Sequence, residues 1–461
     1  MIKRTLKQIT SMMKVENDVN SFSNLVVHGV CIDSRKIDKG NLFIPLKGEK
    51  MDGHRFVEAA IEDGAAAALW QKDVPNPPTH LPILIVEDTE KALQELARSY
   101  RNQLNVKVVG ITGSNGKTTT KDMAASLLSL KYKVQKTEGN FNNHIGLPLT
   151  VLSLNEDTEI AVLEMGMSAK GEIEFLSNLG RPDLVVITNI GESHLQDLGS
   201  RESIADAKTE ILSGLRENGI IIYNGDEPLL KERLQKYGHK WEIHTFGRNA
   251  GNTLYPTHME QNNGGSLFTI NQSNSVFNLP VLGGHNILNA LAAMLVAHSF
   301  QIPFEDMNEG LKELKLTNMR MELVEGEKGE RIINDAYNAS PTSMRAAIEL
   351  VSNLTGFTNR ILVLGDMLEL GPNEEKFHFE IGQSLNPQKI NYVFTYGKLG
   401  KYIADGAKTS LKSERVFHFT DKSTLSAKIR EYTNAQTLIL VKASRGMRLE
   451  EVVHTLMKKN K

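Results

Sequence analysis

Val106-Lys107-Val108-Val109-Gly110-Ile111-Thr112-Gly113-Ser114-Asn115-Gly116-Lys117-Thr118-Thr119 runs from an apolar stretch through a glycine-rich turn to a lysine-threonine step. The stretch Val106 to Ile111 predicts a buried strand, and Met123, Leu127 and Leu130 recur afterwards at helical spacing. Strand, loop and helix N-terminus in that order cradle phosphate, because glycines let backbone N–H groups approach an anion that the helix dipole also favours. Lys117 is placed to reach the β and γ phosphates of a nucleotide and Thr118 to hold Mg2+, with Gly113, Asn115, Gly116 and Thr119 in the same loop. The consensus loop has glycine where this chain has Ile111, so Gly113 supplies the turn.

Further apolar runs at Ile160 to Leu163, Leu184 to Ile190, Ile361 to Leu364 and Leu438 to Val441 alternate with helical patterns. This is the mark of an α/β protein with parallel sheets, whose ligands sit at the carboxyl ends of the strands. Glu164 ends one such run, and its hard carboxylate oxygens suit Mg2+. His194 follows another through Gly191-Glu192-Ser193, a position that by itself more often holds a structural histidine. Lys208 shares a helical face with Ile204 and Ile211, where a lysine stem can lie on apolar surface with its ammonium in water.

With 461 residues the chain exceeds what one core usually supports, and three domains are expected at 1–103, 104–316 and 317–461. In the first, Leu81 to Val86 reads as a strand, Ala92 to Tyr100 as a helix and Asn102-Gln103-Leu104-Asn105 as the linker that follows. The second boundary falls at Leu316-Thr317-Asn318, and Leu254 to Val281, with its Asn262-Asn263-Gly264-Gly265 turn, reads as a hairpin excursion. A formal net charge of −2 with 23% charged residues excludes the basic surface of a nucleic-acid or membrane-surface binder. The single Cys31 rules out an intrachain disulfide and favours a reducing compartment. Without an apolar N-terminal run or a membrane-span-sized one, the expectation is a soluble, cytoplasmic, monomeric protein.

The segment Thr112 to Thr119 closely resembles the phosphate loop of the Mur ligase and folylpolyglutamate synthetase family, and the likeness continues along nearly the whole chain. It implies a central P-loop ATPase domain with a parallel sheet, an N-terminal α/β domain binding a uridine diphosphate and a C-terminal Rossmann-like α/β domain. In the family, residues matching Glu164 and His194 flank a second Mg2+ between ATP and the substrate acyl group, and the lysine matching Lys208 is carbamylated. Asn289, in Gly283-Gly284-His285-Asn286-Ile287-Leu288-Asn289, matches the adenine-binding residue, whose amide offers both a donor and an acceptor. Arg320 matches an arginine that reaches from the third domain to the ATP phosphates, and Asp335 an acid that contacts the ribose. At Ser340 the family more often has asparagine.

Substrate segments extend the likeness. Asp33-Ser34-Arg35, Gly40 to Gly48 and Asp52-Gly53-His54 resemble the family's uridine-diphosphate domain, with Ser34 and Arg35 as contacts, and folylpolyglutamate synthetases lack such a domain at the front. Gly139 to Pro148, with Asn142 and Asn143, resembles the loop that meets the nucleotide precursor. This double asparagine, Asp335 to Ala339 and Gly365-Asp366-Met367-Leu368-Glu369-Leu370-Gly371 are similar to the branch that adds D-alanyl-D-alanine to UDP-N-acetylmuramoyl-tripeptide. Lys442, Ser444 and Arg445 are then the candidates for the dipeptide carboxylate, with the Asp366 to Gly371 loop as the alternative. The implied activity is ATP- and Mg2+-dependent amide-bond formation in peptidoglycan synthesis. A relative adding a single amino acid should carry an Asp-Asn-Pro-Arg-like segment, which is absent, and a non-ligase P-loop ATPase would have no need of the first domain.

Overall fold

Alternation along the strands divides the middle of the chain into two cores. Val109, Ile111, Ile160, Val162, Leu184 and Val186 face one, while Val108, Ala161, Leu163, Val185 and Ile187 face the other. A parallel sheet covered by helices on both sides requires this period of two. The computed structural model describes residues 1–48 and 51–458. Its central sheet has six parallel strands, in the order Glu242–Phe246, Ile220–Asn224, Leu184–Ile187, Lys107–Thr112, Ile160–Glu164 and Val134–Lys136. After Lys107–Thr112 the chain fills one side of the sheet and then crosses to the other. The phosphate loop therefore leaves the sheet at its switch point, where a crevice opens.

Helices Lys117–Leu128 and Gly284–Ser299 cover one face of the sheet. The expected excursion is a three-stranded antiparallel sheet, Pro256–Asn262, Gly265–Ile270 and Ser273–Leu279, which packs Phe268 and Phe277 on the same core. Met123 and Leu127 are buried as their spacing implies, whereas Leu130 lies past the helix end and is 40% exposed.

The N-terminal domain has a four-stranded parallel sheet, Val30–Cys31, Leu42–Phe43, Ala67–Gln71 and Ile83–Val86. Its helix Thr89–Gln103 is longer than the sequence suggested, so Asn102 and Gln103 close the helix and only Leu104 to Val106 connect the domains. Leu93, Leu96 and Tyr100 of this helix share a core with Leu147, Leu163 and Val185 of the next domain. Buried Arg101 fastens the joint by donating to the carbonyls of Gly180, at 2.8 Å, and of Leu104, Val106 and Arg181. A guanidinium kept from water needs such partners.

The third domain has a six-stranded sheet, Glu322–Glu325, Arg331–Asp335, Thr437–Lys442, Asn359–Gly365, Tyr392–Tyr396 and Val416–Phe419. Only its first pair is antiparallel. Its faces alternate in the same way, Leu362 and Leu364 into one core and Ile361 and Val363 into the other. No helix among the described residues is long and apolar enough to cross a membrane.

Candidate active site

The phosphate loop is shaped by two glycines. Gly113 has φ +147° and Gly116 φ +81°, and a Cβ would meet Thr188 Oγ1 at 1.8 Å in the first case and Asn289 Oδ1 at 2.3 Å in the second. The expected strand to Ile190 stops at Ile187, because the next two residues leave the ladder to brace this loop. Thr188 donates to the Asn115 carbonyl at 2.5 Å, and Asn189 Oδ1 accepts from Asn115 N at 2.9 Å. Lys117 folds back onto the Gly113 carbonyl at 2.8 Å. Desolvation pulls its ammonium below the usual value, Glu164 opposing the shift and Arg320 adding to it.

Glu164 pairs in register with Ile111, the residue that leads into the loop. Its backbone N donates to Thr137 Oγ1 and its Oε1 accepts from Asn142 Nδ2 at 2.7 Å, while Oε2 is buried with no partner. An orphaned carboxylate oxygen beside a phosphate loop is a demand for a cation. Lys208 is 1% exposed rather than snorkelling, and no acidic residue lies within ion-pair distance among the described residues. Burial, with the Lys117 charge adding to it, pushes its ammonium well below the ordinary lysine range. No three His, Cys, Asp or Glu side chains form a cage among the described residues, so a metal here would draw most of its ligands from phosphate and water, as Mg2+ commonly does.

The third domain closes the cleft from the other side. Arg320 Nη2 donates to Thr118 Oγ1 at 2.9 Å, and its guanidinium stacks 4.2 Å from the Tyr337 ring centroid. Met319 and Met321, on either side of Arg320, both have left-handed φ, +62° and +53°. Each such conformation costs about 1–2 kcal/mol, so the fold pays to aim Arg320 at the loop. Ser340 caps the helix Pro341–Asn353 and also donates to Asn115 Oδ1 at 3.3 Å, so serine here reaches the phosphate loop. Asp335 pairs with Lys442, whose ammonium also donates to the Asn338 carbonyl at 3.0 Å. Arg320, Asp335, Tyr337 and Lys442 line a cleft of about 390 Å³ with Ser114, Thr119, Asn142, Asn143, Asn224, Phe246 and Asn289.

Several expected contacts take other forms. Asn289 Nδ2 donates to Asn286 at 2.9 Å and its Oδ1 accepts from Thr120 at 3.4 Å, which sets the amide against the back of the phosphate loop. Asn143 Oδ1 accepts from the Ile145 and Gly146 backbone at the start of helix Gly146–Ser153. Lys442, Ser444 and Arg445 do not converge. Ser444 is buried under the Leu368 backbone N–H, whereas Arg445 is half exposed and paired with Glu450 at 2.5 Å. Ser34 and Arg35 line a separate cavity of about 1010 Å³ in the first domain, with Arg35 held by Asp33 through contacts of 2.8 and 2.9 Å. Lys47, from the Gly40 to Gly48 motif, lines the same cavity, as do Gln71 and Thr89, which no motif announces. Thr188 and Asn189, inside the expected strand, and Tyr337, inside the Asp335 to Ala339 motif, gain their places at the site only from the structure, although polar residues at the end of an apolar run mark the first two.

Comparisons with known proteins agree with this geometry. Residues 111–297 match the Mur ligase middle domain, 319–445 the Mur ligase glutamate ligase domain and 26–101 the Mur ligase family catalytic domain. A UDP-N-acetylmuramoyl-tripeptide–D-alanyl-D-alanine ligase of Bacillus subtilis is 53% identical over 99% of both chains. A crystal structure of MurF from Acinetobacter baumannii superposes with a TM-score of 0.89 over 100% of both chains at 28% identity. The MurF ligase of Thermotoga maritima in complex with ADP has a TM-score of 0.81 and 30% identity, over 93% of this chain and 97% of that one.

Proposed function

The chain belongs to the Mur ligase family, and from that premise we propose that it joins D-alanyl-D-alanine to UDP-N-acetylmuramoyl-tripeptide at the expense of ATP. The contact between Arg320 of the third domain and Thr118 of the phosphate loop carries this reading, because it brings a third-domain cation to the place where phosphoryl charge must be neutralised. The first domain, 1–103, holds the nucleotide precursor in the cavity beside Ser34 and Arg35; the middle domain, 104–316, holds ATP; the third, 317–461, brings the dipeptide.

In the first step an oxygen of the peptide's terminal carboxylate attacks the γ-phosphorus, ADP leaves and an acyl phosphate forms. Positioning and charge neutralisation supply most of the catalysis in such transfers. Lys117 must leave the Gly113 carbonyl and Arg320 must leave Thr118 to take up the phosphates. In the second step the dipeptide amine attacks the activated carbonyl, phosphate departs and the amine loses a proton. Thr118, Glu164 and His194 are the residues that would hold Mg2+, which supplies neutralisation of the phosphate and carboxylate oxygens. Glu164 Oε2, buried and unpartnered, fits that task.

Lys208 fits through carbamylation. A buried amine whose proton is weakly held can add to CO2 and release a proton, giving an anion that balances Lys117. We take the enzyme to be cytoplasmic and monomeric. The test is product analysis with purified precursor, dipeptide and ATP. One pentapeptide product, one ADP and one phosphate per turnover are expected, and ADP release that ignores the dipeptide would leave only an ATPase.

A further inference from the structure

His194 and Glu369 belong to different domains and both have left-handed backbones, φ +64° and +65°. Unlike glycine, a residue with a side chain is strained there, so each side chain has been kept at a cost. Glu369 Oε2 lies 2.8 Å from His194 Nδ1, close enough for an ion pair yet oblique to the ring N–H.

The loop that carries Glu369 is pinned from the third domain. Asp366 accepts from Leu399 N at 3.0 Å and Gly400 N at 2.7 Å, Met367 N donates to His378 Nε2 at 2.8 Å and Leu368 N donates to Ser444 Oγ at 2.9 Å. Its tip meets the middle domain, because the Glu369 carbonyl accepts from Gln196 N at 3.1 Å. A Cβ on Gly371 would stand 3.2 Å from Gln196 Cα, so the approach is close. Nearby, Thr342 Oγ1 donates to Glu192 at 2.7 Å. The third domain thus grips the segment Glu192 to Gln196 at several points.

We propose that Glu369 is a positioning residue for His194, and that docking of the third domain completes the pair. A carboxylate 2.8 Å from Nδ1 favours a proton on that nitrogen even at an oblique angle, and so leaves the Nε2 lone pair for the reacting side. The loop is rigid, so the carboxylate reaches the ring only when the dipeptide-carrying domain is in place. ATP is then committed only when the acceptor domain is present. This rests on the reading of His194 as part of the acyl-transfer site.

The test uses the full chain with 15N-labelled histidine, the His194→Ala variant assigning the ring signals without metal or nucleotide. Wild type should show His194 protonated on Nδ1. Glu369→Ala should shift it towards the Nε2-protonated form and lower kcat about 10- to 100-fold with KM for ATP little changed. Glu369→Gln, which keeps an accepting oxygen, should restore most of the rate. In the His194→Ala background, Glu369→Ala should cost nothing more. A wild-type kcat in Glu369→Ala, unchanged ring signals or an additive double variant would each overturn the inference. Wild-type turnover in His194→Ala itself would instead remove the premise about His194.

Discussion

Asp122 Oδ2 accepts two hydrogen bonds from Thr317, from its backbone N–H and its hydroxyl, each 2.9 Å long. Asp122 sits on the helix that follows the phosphate loop, and Thr317 in the connection to the third domain. The helix that follows the phosphate loop is therefore tied to the connection between the middle and third domains.

Asp122 is wholly buried with Lys136 at 2.6 Å and Lys121 at 3.4 Å. Burial pushes its carboxyl up, but the two lysines and the Thr317 N–H outweigh it and hold it below the ordinary value. A depressed folded value stabilises above the unfolded one, near 3.8, and the contribution is lost as pH falls through the folded value. Asp122→Asn should cost roughly 3 kcal/mol at neutral pH, since it leaves buried Lys121 and partly buried Lys136 uncompensated, and should flatten the acid limb of the stability curve. Thr317→Val removes one bond, worth about 1 kcal/mol, and should change kcat and KM together as hinge substitutions do. Denaturant melts across pH, alongside steady-state kinetics, test both.

Lys117→Ala should remove at least about 100-fold of kcat while the fold persists, because a group aimed at the transferring phosphoryl acts mainly in the transition state. Circular dichroism with turnover measurements decides it. Near-normal turnover in a folded variant would move the ATP site.

Lys208→Ala should be inactive and partly recovered by short carboxylic acids that fill the anion's place, whereas Lys208→Met, whose side chain occupies that place without a charge, should stay inactive in their presence. A carbamate signal from 13C-bicarbonate should appear in wild type and vanish in either variant. Full activity of Lys208→Ala in bicarbonate-free buffer argues against the modification.

Arg445→Ala should raise KM for D-alanyl-D-alanine about 10-fold or more and leave those for ATP and the precursor near wild type, because a planar guanidinium can clamp a carboxylate with two bonds. The side chain is half exposed, and its contacts with Glu450 and the Met319 sulfur must be given up. An unchanged dipeptide constant would shift recognition to the Asp366 to Gly371 loop.

The α/β layers were legible because burial on both faces writes continuous apolar runs, and the phosphate loop because its backbone needs glycine at 113 and 116. Linker and strand limits were less so. Asn102 and Gln103 look like a polar linker but complete a helix, and Thr188 and Asn189 extend an apolar pattern whose hydrogen bonds turn to the phosphate loop. The contacts between domains were hidden altogether. Ser340 and Asn115 are 225 residues apart and Thr317 and Asp122 195, and no local pattern encodes the orientation that joins them. Lys442 and Ser444 carry polar groups that suit a carboxylate, yet tertiary packing commits them to Asp335 and Leu368.

Direct attack of the peptide carboxylate on the γ-phosphorus, in the cleft closed by Arg320, leaves an isotopic trace. Precursor labelled with 18O in its terminal carboxylate tests it in one turnover. One 18O is expected in the released phosphate, with the other retained in the new amide. Phosphate free of 18O, its fourth oxygen drawn from water, would contradict direct attack.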